Sequence, residues 1–183
     1  MPRLAAACRS LGEVAEAIAT CRACAAGCQG ARAVAGEGPA TARLVLVGEQ
    51  PGDVEERGGR PFIGPAGGVL DAALERAGLA RGALYLTNAV KHFGFRTRGA
   101  QRLHKTPTRT IVEHCRWWVL REIELVRPAA VVALGRTAGE ALGLEPTWHP
   151  AYVLRQPDAA ARERALAELV AALAAAGRRA GLR

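Results

Sequence analysis

The chain has 183 residues, 50% of them hydrophobic and only 4% aromatic, with a formal charge of +8. That length and apolar share fit one compact domain with its own core and exclude a generic disordered chain. No stretch reaches eighteen uncharged apolar residues, and the basic start MPRLAAACRS lacks a continuous apolar run and a cleavage site, so a soluble, cytoplasmic protein with no membrane partner is expected.

In chain order, GEVAEAIATCRAC predicts a short helix running into a cysteine turn, and ARAVAGEGPATA a loop. RLVLVG, from Arg43 to Gly48, reads as a buried strand, with GEQPGD as the loop at its end and GRPFIGPAG as a second Gly/Pro loop. Residues 67–77 predict a helix with Val69, Leu70, Ala73 and Leu74 on one face. LYLTNAVK begins as a strand and leaves the sheet near Asn88.

The next segment is basic. Between Ala89 and Val112 it carries Lys91, Arg96, Arg98, Arg102, Lys105 and Arg109 and no Asp or Glu. A solvated face and a phosphate-contacting loop both fit this pattern. Pro107 and Thr108 then announce a long helix, whose apolar positions run Ile111, Val112, Cys115, Trp118, Val119, Ile123 and Val126. Pro128 ends it. AAVVALG is a third strand, RTAGEALG a helical turn or two, HPAYVLR a segment falling near a strand end, and Asp158 caps a last helix facing the core with Leu166, Leu169, Val170 and Leu173. Strands alternating with helices predict an α/β fold, a mostly parallel short sheet covered on both faces, with ligands beyond the carboxyl ends of its strands. No internal repeat, GxGxxG or Walker A sequence is present.

Five cysteines, Cys8, Cys21, Cys24, Cys28 and Cys115, make an odd number in a chain read as cytosolic, which disfavours a disulfide scaffold. The pair in CRAC permits zinc, iron–sulfur, redox chemistry or no function. Candidates for its distant partners are Cys115, on the inward face of a helix, and His92, at a strand end, with a buried thiol and a surface histidine as the other reading.

VGEQPGD, GRPFIGPAG, TNAVKHF, RLHKTP, EHCRWWV and HPAYVLR, in this order, resemble the motif series of the uracil-DNA glycosylase superfamily, over roughly residues 21–155. The closest resemblance is to its iron–sulfur, family 4-like branch, and within it to the histidine cross-linking type called UdgX. The resemblance implies a single three-layer α/β/α sandwich over residues 1–183, with a cluster-binding segment at about 8–42 and a core at about 43–176. It implies a [4Fe–4S] cluster of structural role on Cys21, Cys24, His92 and Cys115, with Cys28 as a rival ligand and imidazole replacing thiolate as it does in Rieske centres.

The same resemblance implies a uracil-DNA glycosylase that acts as a monomer on uracil-containing, preferably single-stranded DNA and releases free uracil. Phe62 would stack on the base, which must leave the helical stack to react. Asn88 would read its Watson–Crick edge, and Gly48 and Gln50 lie in a loop able to offer backbone N–H groups to its oxygens. His149 would hydrogen-bond uracil O2 as negative charge grows there. His104 would attack the sugar C1′ and stay bonded to it, with Glu49 orienting the ring or taking its proton and Asp53 beside the cationic sugar. Arg96, Arg98, Arg102, Lys105 and Arg155 would contact DNA. A turning-over glycosylase and a non-catalytic, metal-containing nucleic-acid-binding protein are the alternatives.

The chain departs from the pattern where AQRLHK replaces a more basic approach to the histidine and HPA replaces HPS. It also passes from LGRTAGEALG to EPTWHP by a shorter connection, which puts the last strand and the placement of His149 in question.

Overall fold

The structure, a computed structural model, describes residues 2–24 and 32–182. Cys28 lies outside the described residues. Three parallel strands form the sheet, in the order β2–β1–β5: β1 (Leu44–Gly48) in the middle, β2 (Tyr85–Asn88) on one side and β5 (Ala130–Ala133) on the other. All five residues of β1 are buried, as a strand covered on both faces must be.

Alternation along β1 sorts its side chains into two cores. Val45 and Val47 pack with Val14 and Ile18 of α2 (Leu11–Ala19) and with Val112, Trp118 and Val119 of α5 (Arg109–Val126). α1 (Pro2–Ala7), which the pattern of the first residues did not reveal, joins this layer through Ala5. Leu44 and Leu46 pack on the other side with Leu70, Ala73 and Leu74 of α4 (Pro65–Ala77) and Leu169 and Leu173 of α8 (Ala159–Arg179). The expected three-layer α/β/α arrangement is therefore present. α8 starts where expected, with Asp158 Oδ1 accepting the Ala161 N–H at 2.7 Å.

The basic segment is not a loop. It forms an antiparallel hairpin, β3 (Phe95–Arg98) with β4 (Gln101–His104), in the register Phe95↔His104 and Arg98↔Gln101. Two residues close it, and Gly99, with φ 58°, holds the first of them, where a II′ turn takes glycine. Strand alternation then separates the charges. Arg102 and His104 share the face with Phe95, and Arg96 and Arg98 occupy the opposite face.

HPAYVLR contains a further helix. Pro150–Leu154 is a short helix, α7, with His149 as its N-cap. The short connection before it makes one sheet contact: Thr147 bridges beside β5, its N–H donating to Ala133 O at 3.0 Å and its O accepting from Gly135 N–H at 2.9 Å. One bridge in place of a full strand is enough to bring His149 beside α6 (Arg136–Leu142). Gly135, at φ 87°, allows the approach, since a Cβ there would lie 2.9 Å from the His149 Cβ.

Candidate active site

A cleft of about 1080 Å³ opens at the carboxyl ends of the three strands. Its wall includes Glu49, Phe62, Asn88, His104, His149 and Arg155, brought from five separate segments of the chain. Gly48, at the end of β1, makes its floor possible. A Cβ there would lie 2.5 Å from Asn88 Oδ1 and 2.6 Å from the Phe62 ring. Glycine lets both side chains meet over the strand end.

Phe62 is 5% exposed and sits at φ 55°, a left-handed conformation costly for a bulky residue. The turn is held from two sides. Gly67 must lack a Cβ, which would lie 2.0 Å from Phe62 O. The Glu55 carboxylate, on α3 (Asp53–Gly58), accepts the N–H groups of Gly64 at 2.8 Å and Gly52 at 3.1 Å, tying the two Gly/Pro loops together. Asn88 is 3% exposed, and its side-chain amide has no protein hydrogen-bond partner among the described residues, which leaves its donor and acceptor for a ligand in the cleft.

His104 Nε2 lies 3.1 Å from Glu49 Oε1, and Thr137 Oγ1 donates to Glu49 Oε2 at 2.6 Å. Burial alone would raise the Glu49 carboxyl, but the hydrogen bonds from His104 and Thr137 outweigh it and hold the group below its ordinary value. Glu49 is thus an anion at neutral pH, and the nitrogen facing it carries the imidazole proton.

His149 has the opposite character. Its Nδ1 accepts the Ala151 N–H at 3.1 Å, at the start of α7, so in the neutral ring the proton is on Nε2. Burial lowers its pKa to about 4; Glu49 pulls the other way and the Arg155 charge adds to the lowering. Among the four histidines of the chain, that of His149 is expected to keep its neutral NMR shifts from pH 8 to 5 and to move only as pH falls through about 4. A midpoint near 6.5 would mean that the ring is solvated.

The other residues singled out in the sequence divide. Arg102 is engaged inside the protein, paired with Asp53 and, at 2.6 Å, with Glu56 Oε2, and its guanidinium lies 5.0 Å from the Phe95 ring centre. Its charge braces the hairpin against α3 instead of facing outward. Asp53 is shared between Arg102 and Arg57, the latter at 2.8 Å. Gln50 lines the cleft, but its side chain is spent on the hairpin roots: Nε2 donates to Gly94 O and Lys105 O, both at 3.2 Å, and Oε1 accepts from Gly94 N–H at 3.3 Å. Arg96, Arg98, Lys105 and Arg155 are exposed.

A family model described as "Uracil DNA glycosylase superfamily" matches residues 35–174, which contain every element of this cleft. The chain belongs to that superfamily. It is 34% identical over 164 residues to the type-4 uracil-DNA glycosylase of Thermotoga maritima, covering 78% of this chain and 82% of that protein. Against the type-4 enzyme of Pyrobaculum aerophilum it is 35% identical over 153 residues, covering 68% and 74%. With the type-4 enzyme of Archaeoglobus fulgidus it shares 36% over 131 residues, covering 72% and 62%. These relatives place the chain in the family 4-like branch.

A second, smaller pocket lies on the α2–α5 side of the fold. Cys21, Cys24, His92 and Cys115 line it, with about 10 Å³ of open space. Both ring nitrogens of the buried His92 lack a hydrogen-bond partner, and so does the indole N–H of Trp118, which lines the same pocket. Such orphans are costly without a ligand. Burial, then the Arg22 charge, lowers the His92 pKa and favours the neutral ring that can ligate metal. Burial pushes the Cys115 thiol up to about 12, so this sulfur ionises only against a bonded cation. Its Sγ accepts the Lys91 N–H at 3.2 Å. Among the described residues no three His, Cys, Asp or Glu side chains are grouped tightly enough for a single ion. A four-iron cluster asks for something else, one donor per iron spread around a cage, and the donor set fits that chemistry.

Sequence reasoning missed Glu55 and Thr137. Glu55 carried a signal, the spacing G-x-x-E of a helix start. Thr137 had only its place just beyond the third strand.

Proposed function

We propose that this protein excises uracil from DNA, preferably single-stranded, and ends covalently attached to the deoxyribose through His104. The observation that carries the reading is the His104–Glu49 contact at 3.1 Å on the edge of a cleft that also holds Phe62, Asn88 and His149. Uracil enters the cleft with its face on Phe62. The Asn88 amide donates to O4 and accepts from N3–H, a pairing that cytosine reverses and cannot satisfy.

As the C1′–N1 bond breaks, its electron pair passes to the uracil ring, and charge grows on O2. His149, neutral with the proton on Nε2, donates a hydrogen bond there without being itself charged. Glu49 takes the Nε2 proton of His104, and the freed lone pair bonds to C1′. The product is a neutral alkyl imidazole on the sugar, an expelled uracil anion and a proton on Glu49 that can neutralise it. The bond formed is itself an N-glycoside and has no release route in the cleft, so each molecule acts once. Arg96, Arg98, Lys105 and Arg155 contact phosphates.

A single strand is the preferred substrate because its bases turn out at least cost. The test is denaturing gel electrophoresis after incubation with uracil-containing single strands. A protein–DNA species that survives SDS and heat is expected. Abasic DNA with free protein would instead favour a turning-over glycosylase, and reversible binding indifferent to uracil a non-catalytic protein.

We further propose a [4Fe–4S] cluster on Cys21, Cys24, His92 and Cys115, supported by the orphaned His92 nitrogens and the buried Cys115 sulfur. When bound it would supply a structural crosslink, tying the chain before β1 to the segments on both sides of the hairpin. Cys115→Ala is expected to lower the iron content and the melting temperature together; full iron with unchanged melting would remove Cys115 from the site.

A further inference from the structure

Several large hydrophobic side chains are exposed on this protein, and three of them, Val54, Trp148 and Leu154, line the cleft. Trp148 differs from the other two in being held. Its ring stacks on Tyr152 with centroids 4.1 Å apart and an angle of 11°, and its indole N–H donates to the Glu168 carboxylate on α8. Even so it is 41% exposed. With one face covered by Tyr152 and its edge tied down by Glu168, the exposure belongs to the remaining face. Burial of that face against the protein would have been the cheaper arrangement. The indole stands one residue before His149, and the charged side chain of Arg155 lies on the same wall, exposed.

A rigid, open aromatic face beside a cationic side chain is the chemistry of a single-strand stacking site. We propose that Trp148, braced by Tyr152 and Glu168, is a stacking platform for the base next to the excised uracil. The occupant is a nucleobase and not a protein side chain, because the platform opens into the cleft and the exposed Arg155 on the same wall is cationic. The site does not read sequence, since every base has a π-face; it sets where the strand lies and therefore how the neighbouring uridine is aimed.

The inference rests on the uracil-DNA reading, and its test separates the two. Uracil release is measured at subsaturating protein on three single strands: one complete, one with the 5′ neighbour of the uridine replaced by a baseless tetrahydrofuran residue, and one with the 3′ neighbour so replaced. One of the two baseless strands is expected to react about 10-fold more slowly with the parent protein, the size of a single base–aromatic stack. Trp148→Leu, which keeps an apolar cover on Tyr152, is expected to lose the same factor on the complete strand and nothing more on that baseless strand. Trp148→Phe should recover most of the rate.

Losses that multiply on both baseless strands, or a Trp148→Leu protein as fast as the parent, would overturn the platform while leaving uracil excision intact. Parent protein that releases no uracil from the complete strand would overturn the underlying reading instead. Unchanged melting of Trp148→Leu and Trp148→Phe keeps either result interpretable.

Discussion

Replacing His104 by glycine is expected to abolish the heat- and SDS-stable DNA adduct, by roughly 10³-fold or more, and to convert the protein into a turning-over glycosylase. The two effects have separate causes. The adduct needs the Nε2 lone pair, and the other side chain bonded to Glu49 is Thr137, whose hydroxyl is a far weaker nucleophile at neutral pH and is held on the second oxygen. Turnover needs water where the imidazole was. Removing a side chain that is 51% exposed opens a path from solvent to Glu49 Oε1, and the carboxylate, still held by Thr137, can orient and deprotonate that water. Glu49→Gln in the parent separates the base from the nucleophile. It keeps the ring's neighbour in place but cannot take the proton, so adduct formation should slow by about 10²–10⁴-fold. Free abasic product from His104→Gly, measured by alkaline cleavage, checks the first claim. Its absence, with uracil still bound, would mean that His104 does more than accept the sugar.

Arg102 and Gln50 bear on the same step. The hairpin that presents His104 is a two-stranded piece with few buried residues, and such a piece is marginal alone. The Arg102 pairs with Asp53 and Glu56 hold its face, and the Gln50 amide holds its two roots. The placement of His104 is thus built from residues whose types suggest DNA or base contact when read along the chain. A guanidinium in a basic segment looks like a phosphate contact until the carboxylates of α3 are brought opposite it, and that juxtaposition is long-range.

The strands were readable because β1 is a continuous apolar run and its partners carry the same signal, and α5 and α8 because their apolar positions recur at helical spacing. The hairpin was not, because only Phe95 and Leu103 interrupt its polar residues and no apolar alternation announces a strand. Gly99 was its one local mark. Asn88, His104 and His149 could be singled out by chemistry and motif. The left-handed turn at Phe62 could not, since its cause is the absence of a Cβ at Gly48 and Gly67, glycines that look alike in sequence and differ only in what surrounds them. The shortened connection before His149 raised a doubt that one bridge at Thr147 resolves, a tertiary economy with no sequence signature.

The largest stability effect is expected at Glu122, a residue that periodicity hid. It occupies an inward position of α5, between Val119 and Val126, and its side chain is 1% exposed. Its carboxylate accepts Lys91 Nζ at 2.6 Å and Thr87 Oγ1 at 2.7 Å on one oxygen, and the Gly36 N–H at 2.8 Å on the other. The buried Lys91 also donates to Thr87 Oγ1 at 2.6 Å. This network stands between the two pockets: Thr87 precedes Asn88 on β2, and Lys91 precedes His92. Glu122→Ala removes the anion and leaves a fully buried ammonium with one neutral partner, so a loss of about 3–5 kcal/mol is expected. Against the usual 5–15 kcal/mol of a domain that is a large share of the total. Lys91→Met together with Glu122→Leu removes both charges and keeps apolar volume, and should restore most of the stability. Urea unfolding of the three proteins decides it. The double variant carries a second reading: if the ion pair also sets the strand end, it will melt like the parent yet release uracil more slowly, because the Asn88 amide depends on Thr87 being held. A double variant as unstable as Glu122→Ala would instead show that the hydrogen bonds to Thr87 and Gly36, and not charge pairing, hold this side of the fold.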